Sequence, residues 1–254
     1  MRIRWAILCC LLVLLLPAAA CKKQAVEAPP APALPEIEMK NREALMTYLN
    51  QRLAMNQPGR PADEEHGEKN RLSYFGCLEQ YKNDDCRFML CSPYAFSAAD
   101  QYLLAGKLDD AFIFYGAAYD LTKEEIADSI QKLNQWETEL EAKKAAGEAT
   151  EQDRRHFLFR KVTSMQRLYK MHAEVGRTFR RLAMIFDKQG KTDEAANART
   201  MADDFVETAA DRYFDYFAAR KEIAPLLNPN DATHQSFYIS TIKETDLLLE
   251  MPHL

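Results

Sequence analysis

The sequence predicts an all-α fold, an irregular stack of antiparallel helical hairpins behind a proline-rich tether, and three observations carry that expectation. The 254-residue chain contains 8 glycines and is 47% hydrophobic and 28% charged, a composition ordinary for a globular domain. Alanine and glutamate are plentiful, whereas the runs of β-branched residues that favour strands are scarce. Apolar residues recur at three- and four-residue steps through several long windows, the spacing that places side chains on one stripe of a helix.

The elements follow in chain order. Arg2 and Arg4 precede an apolar run over residues 5–16, broken by Pro17 and followed by three alanines; this is the pattern of an export signal over residues 1–20. The run is shorter than the roughly 20 apolar residues that span a bilayer, and Lys22 and Lys23 interrupt any extension. Small residues at Ala18 and Ala20 suit a signal peptidase that cuts before Cys21. The stretch LLLPAAACKKQ resembles the bacterial lipobox, with Ala18 where leucine is most usual. In that family a small residue precedes a cysteine that becomes diacylated on sulfur and forms the new N-terminus. The resemblance implies lipid attachment at Cys21 and a membrane anchor in the cell envelope. Lys22, in place of aspartate, is similar to lipoproteins carried on to the outer membrane in some Gram-negative bacteria, so the expected location is the outer membrane, facing the periplasm. The alternative is a leader with no anchor.

Residues 21–38 carry Pro29, Pro30, Pro32 and Pro35 without any packing pattern. Polyproline II, at about 3.1 Å per residue, would make this segment a tether. Residues 39–254 are expected to form a single all-helical domain. Leu45, Leu49 and Leu53 mark its first helical stripe. Residues 62–70 (ADEEHGEKN) cluster Asp63, Glu64, Glu65, His66 and Glu68. They offer oxygen and imidazole ligands in principle, but a solvated polar loop is the expectation, since nothing nearby fixes ligand geometry.

Cysteine usage follows from export. Cys9 and Cys10 leave with the signal, and Cys77, Cys86 and Cys91 remain besides Cys21. An acylated Cys21 leaves one disulfide and one thiol in an oxidising compartment; an unmodified Cys21 makes two disulfides possible. CLEQYKNDDCRFMLCSPY reads as a helix, a turn at Asn83, Asp84 and Asp85, and a second helix. Cys77 then faces Cys91 across the hairpin and Cys86 stays free. Three cysteines at these spacings with no histidine nearby do not make a paired zinc knuckle.

Downstream, Thr122 with Glu125 and Thr150 with Asp153 fit helix N-caps, and Gly147, Gly190 and NPND at 228–231 are breaks. Ile126, Ile130, Leu133, Trp136 and Leu140 form one stripe. The strongest stripe runs through residues 150–189: Leu158, Val162, Met165, Leu168, His172, Val175, Phe179, Leu182 and Phe186. Ala202, Val206, Ala209, Tyr213 and Phe217 form another, and Ile242, Leu248 and Leu249 the last.

In FRRLAMIFDKQGKTDEAANARTMA, Phe179, Leu182, Ala183 and Phe186 lead to Gly190, Ala195 and Ala202. In AFSAADQYLLAGKLDDAFIFYGAAYDL, Ala99, Tyr102, Gly106, Ala111, Tyr115 and Ala118 take matching places. Both stretches resemble the tetratricopeptide helix-turn-helix repeat, in which large residues of one helix pack over alanines of the next. Arg199 replaces the expected aromatic, Ala95 the expected tryptophan, and neither unit ends in proline. Gly106 and Gly190 are not spaced by a multiple of the roughly 34-residue period, so the segment from Thr122 to about Gly176 interrupts any regular stack.

Catalytic signatures are missing. The five histidines, His66, His156, His172, His234 and His253, are dispersed, and no G-x-S-x-G, Walker or H-E-x-x-H motif occurs. No cofactor or metal is expected. The net charge of -5 gives no reason to expect nucleic acid. Basic residues gather at Arg154, Arg155, Arg160, Lys161, Arg167, Lys170, Arg177, Arg180 and Arg181, downstream of a comparatively acidic 120–151. Complementary faces of two antiparallel helices account for this pattern; the functional alternative is a basic face for an acidic protein partner or anionic lipid. The expected function is a non-enzymatic, lipid-anchored adaptor that binds an envelope protein. The resemblance suggests company such as the lipoproteins that assist pilus, secretin or outer-membrane protein assembly. A helical periplasmic enzyme or ligand-binding lipoprotein, and a surface-exposed exclusion or host-contact lipoprotein, are the alternatives.

Overall fold

The computed structural model describes residue 46, residues 62–82 and 87–228, and residues 230, 231, 233 and 234, all within the unit Lys40–Leu254. The signal peptide, Cys21, the tether, Leu45, Leu49, Leu53, the turn at 83–85, Cys86, Ile242, Leu248, Leu249 and His253 lie outside the described residues. Those residues form five α-helices and no strand: α1 (Glu64–Gln80), α2 (Arg87–Leu104), α3 (Leu108–Ala145), α4 (Glu151–Lys188) and α5 (Thr192–Ile223), followed by a 3-10 turn, Ala224–Leu226.

The charged stretch 62–70 begins α1 and is not the polar loop the sequence suggested. Asp63 is its N-cap and accepts from the His66 amide at 2.9 Å. Glu64 and Glu65 then occupy the first turn, where the helix dipole favours negative charge. α1 lies against α2. Asn70 donates to Ser97 at 3.0 Å, the Tyr102 hydroxyl donates to Glu68 at 3.1 Å, and Tyr74 sets its ring edge-on to Phe114 of α3. Cys77 and Cys91 are joined, so a disulfide ties the two helices together. Closing 14 residues contributes about 3 kcal/mol by the chain-entropy model.

Gly106 and Gly190 end α2 and α4 with φ of 74° each, the left-handed conformation that glycine adopts without a Cβ penalty. Each turn leads straight into the next helix, giving the hairpins α2–α3 and α4–α5. α3 corrects a second expectation. Thr122 is not an N-cap; it is buried within α3 and donates its hydroxyl to the Ala118 carbonyl at 2.7 Å. No glycine or proline interrupts residues 117–145, and Glu125 turns to Arg167 rather than to a helix end. Thr150, by contrast, makes a full capping box with Asp153.

The core has two ends. Near α1, Ala95, Ala98, Ala99, Phe114, Tyr115 and Ile185 pack together. At the far ends of α3, α4 and α5, Leu133, Leu158, Val162, Leu168, Tyr213 and Tyr216 do so. Between them Val175, Phe179 and Ala183 meet Ala198 and Ala202, and Phe179 stacks on Phe205 at 5.6 Å. Within α5 the core position is Tyr216, whereas Phe217 lies at the boundary under Arg220 and Lys221. Met46 and Ala173 pack on Val206, Ala209 and Ala210.

Candidate binding groove

α2 and α4 run side by side in the same direction. The Arg177 guanidinium lies 3.8 Å over the Phe96 ring, and one turn further along both helices Arg181 Nε is 3.5 Å from Asp100 Oδ1. Nearer their N-terminal ends the two helices line a cavity of about 520 Å³. Pro93 of α2 is the exposed apolar residue of its wall, with Phe96 and Met171 buried beneath it; Arg167, Lys170 and Arg177 supply positive charge and Glu174 negative charge. The local sequence explains the α2 wall. Pro93 sits inside the helix, where its ring lacks the donor for the carbonyl four residues back, and Phe96 follows at i+3 on the same face.

The groove continues along α4. Thr163 and Arg167 also line a second cavity of about 340 Å³ between α3 and α4, with Trp136, Phe159, Arg160 and His156. Arg160 stacks 4.9 Å from the Trp136 ring centre. Along both cavities Lys132, Arg160, Arg167, Lys170 and Arg177 stand against Asp128 and Glu174. Arg167 is paired with Glu125, Arg177 with Glu174 at 2.5 Å, and Lys132 with Asp128 at 2.9 Å. Arg160 and Lys170 have ring contacts but no carboxylate partner among the described residues.

The structure thus divides the basic residues that the sequence grouped. Arg160, Arg167 and Arg177 come to the groove together with Lys170. Arg154 and Arg180 turn to α5, pairing with Glu222 at 3.4 Å and Asp203 at 3.2 Å. Lys161 lies over Phe157, and Arg155 is half-buried away from either cavity. Arg181 is 2% exposed and belongs to the core. The complementary-faces account holds for Arg167 with Glu125 and for Lys143 with Asp153 at 2.5 Å; Arg154 and Arg180 pair with α5, Arg181 with α2, and Arg177 with Glu174 within α4 itself.

Behind the groove is a buried polar cluster. The Tyr115 hydroxyl donates to Asp100, whose carboxylate also faces Arg181. Burial holds Asp100 above the usual carboxylate range, opposed by the Tyr115 hydrogen bond and then by Arg181 and Arg177. Burial, and then the Asp100 charge, push the Tyr115 phenol up. Burial likewise raises Glu125 against the pull of Arg167. The cluster fixes the spacing of α2 and α4 and therefore the width of the groove.

Sequence reasoning did not find Pro93, Phe96 or Trp136 as groove residues; their signal was the aromatic and proline on positions i and i+3, shared with ordinary core stripes. Among the described residues no group of three or more His, Cys, Asp or Glu side chains is placed to hold a metal ion. His172 is buried and its Nδ1 is 2.7 Å from the Leu168 carbonyl, as for a core histidine. No helix of the described residues is long and apolar enough to cross a membrane. No protein-family model, curated protein or solved structure matches the chain.

Proposed function

We propose that the protein is a non-enzymatic helical adaptor of the bacterial cell envelope, anchored through lipid on Cys21, whose groove between α2 and α4 receives an acidic, apolar-bearing segment of a protein partner. The groove carries this reading: Pro93, exposed above the buried Phe96 and Met171, lies beside Arg167, Lys170 and Arg177, and Arg160 extends the charge along α4. An open surface with an apolar foothold at Pro93 and two cations, Arg160 and Lys170, that meet no carboxylate among the described residues suits an extended or helical peptide. In this reading α2–α3 and α4–α5 serve as two tetratricopeptide-like pairs, with large residues over Ala111, Ala118, Ala195 and Ala202. α2 and α4 then take the place of the first helices that face a ligand. The Pro-rich segment 21–38 would hold this groove away from the outer-membrane surface.

The test is capture from gently solubilised envelopes by the wild type and by an Arg160→Glu/Lys170→Glu variant. The wild type should retain a protein partner, with recovery falling about ten-fold in the variant and in high salt, since two opposed charges are reversed at a screened surface. Recovery of the wild type only as a solitary monomer, or equal recovery by both proteins, refutes the reading. The mass of the mature N-terminal peptide tests the anchor: an unmodified Cys21 removes it.

A further inference from the structure

We propose that the α3–α4 cavity is a binding site for a small hydroxylated anion, a sugar acid or a sugar phosphate. The proposal goes beyond the adaptor reading and needs no protein partner.

The site is built along the seam of one hairpin. Asp128, Lys132 and Trp136 follow one another at four-residue steps on α3, beside the buried Leu133. On α4, His156, Arg160, Thr163 and Arg167 follow at four-, three- and four-residue steps, beside the buried Leu158 and Val162. Two polar stripes therefore flank the apolar contact between the helices, and a cavity of about 340 Å³ opens between them. That volume lies near the lower end of the range for small-molecule sites, about 300–1,000 Å³, and suits a ligand of one ring.

The charges select an anion. Lys132 is paired with Asp128 at 2.9 Å and Arg167 with Glu125. Arg160 meets no carboxylate among the described residues, and its guanidinium lies 4.9 Å from the Trp136 ring centre. Arg160 thus brings the uncompensated charge to the cavity. Stacking on the indole holds its planar fork in place, which lowers the ordering cost of a bidentate bond to a carboxylate or phosphate.

The hydroxyls select what else the ligand carries. Ser129 Oγ donates to Glu125 Oε1 at 3.4 Å, and Thr163 Oγ1 donates to the Phe159 carbonyl at 3.0 Å. Each of these cavity-lining hydroxyls has then committed its one proton and is left as an acceptor. The Asp128 carboxylate is an acceptor as well. A ligand that meets these three groups must bring O–H donors, besides the anion that Arg160 takes. The half-buried Phe159 ring lies beside them as a surface for the C–H face of a sugar ring.

Trp136 makes the test direct. The chain has two tryptophans, Trp5 and Trp136, so in the full chain carrying Trp5→Phe all indole fluorescence comes from the cavity wall. Glucuronate, galacturonate, glucose 1-phosphate and glucose 6-phosphate are titrated against it. Glucose and inorganic phosphate serve as controls that carry the hydroxyls or the anion alone. At least one anionic sugar should saturate the fluorescence change and bind at least ten-fold more tightly than either control. Saturation by the uronates or by the hexose phosphates identifies the anion. Arg160→Ala should weaken that ligand at least ten-fold, and Arg160→Lys, which keeps the charge without the fork, should restore only part. Thr163→Val removes an acceptor and should weaken it about five-fold. Both side chains are exposed, and circular dichroism checks that each variant keeps its helices. The proposal is overturned by any of four results: no saturable fluorescence change and no heat of binding with any of the four sugars; glucose binding as tightly as its acid; inorganic phosphate binding as tightly as the sugar phosphates; or affinity unchanged in Arg160→Ala. Failure here leaves the adaptor reading to its own capture experiment.

Discussion

Gly176 sits inside α4 where that helix packs against α5, and replacing it by alanine should destabilise the protein although alanine is the better helix former. A Cβ at this position would lie 2.9 Å from Val206 Cγ2 and 3.1 Å from the Ala202 carbonyl oxygen. The Val206 methyl is on a stiff β-branched side chain and the carbonyl is backbone, so the relief is for α4 and α5 to move apart. Overpacking of this kind costs roughly 2 kcal/mol, against a helix-propensity gain of about 1 kcal/mol. The net expectation for Gly176→Ala is a loss of about 1 kcal/mol. Gly116 is the matched control: it lies inside α3 and a Cβ there meets nothing within 4 Å. Gly116→Ala should therefore stabilise by about 0.5–1 kcal/mol. Urea unfolding followed by circular dichroism at 222 nm reads both, and a thermal scan should separate the two variants by roughly 4–8 °C for a chain of this size. Val206→Ala in the Gly176→Ala background should recover part of the loss. If Gly176→Ala stabilises as much as Gly116→Ala, the close approach of α4 and α5 is refuted.

Two further outcomes follow from the buried polar groups. Arg181→Ala leaves the Asp100 carboxylate facing the core without its nearest cation and should cost about 3–5 kcal/mol, whereas Arg181→Met with Asp100→Asn should lose much less; equal losses in urea unfolding would remove the ion pair from the account. Burial lowers His172 below its ordinary value of 6.5. The unfolded chain then takes up the proton first, so this contribution is present above about pH 6.5 and is lost as pH falls through the folded value. His172→Gln should flatten stability between about pH 7 and pH 5, and an unchanged profile would show that the ring is not held neutral.

How much of this was legible depends on the kind of residue. Thr150 and Asp153 form their capping box as read, because capping is settled within four residues of chain. The stripe from Leu158 to Phe179 is buried as its period requires. Cys77 meets Cys91 because two helices joined by a short connection must lie antiparallel. Thr122 with Glu125 has the same local pattern as Thr150 with Asp153 and fails as a cap. Packing along both halves of α3 keeps the helix continuous there, and a local signal does not contain that information.

The groove shows the same division. That residues 154–181 are basic is a property of the sequence, but the sequence does not say which arginines share a surface. One turn of helix separates Arg177, over Phe96 at the groove, from Arg181, enclosed with Asp100. Their difference comes from the position of α2 beside α4, a contact between residues some 80 positions apart. The helices, most of their ends and the Cys77–Cys91 pairing can be read from the chain alone, because periodicity, caps and short turns act over a few residues. The parallel course of α2 and α4, the contact of Gly176 with α5, and the gathering of Arg160, Arg167, Lys170 and Arg177 along one groove emerge from the folded chain. Those features depend on which helix faces meet, and that is set by side-chain volume and charge pairing across the whole core.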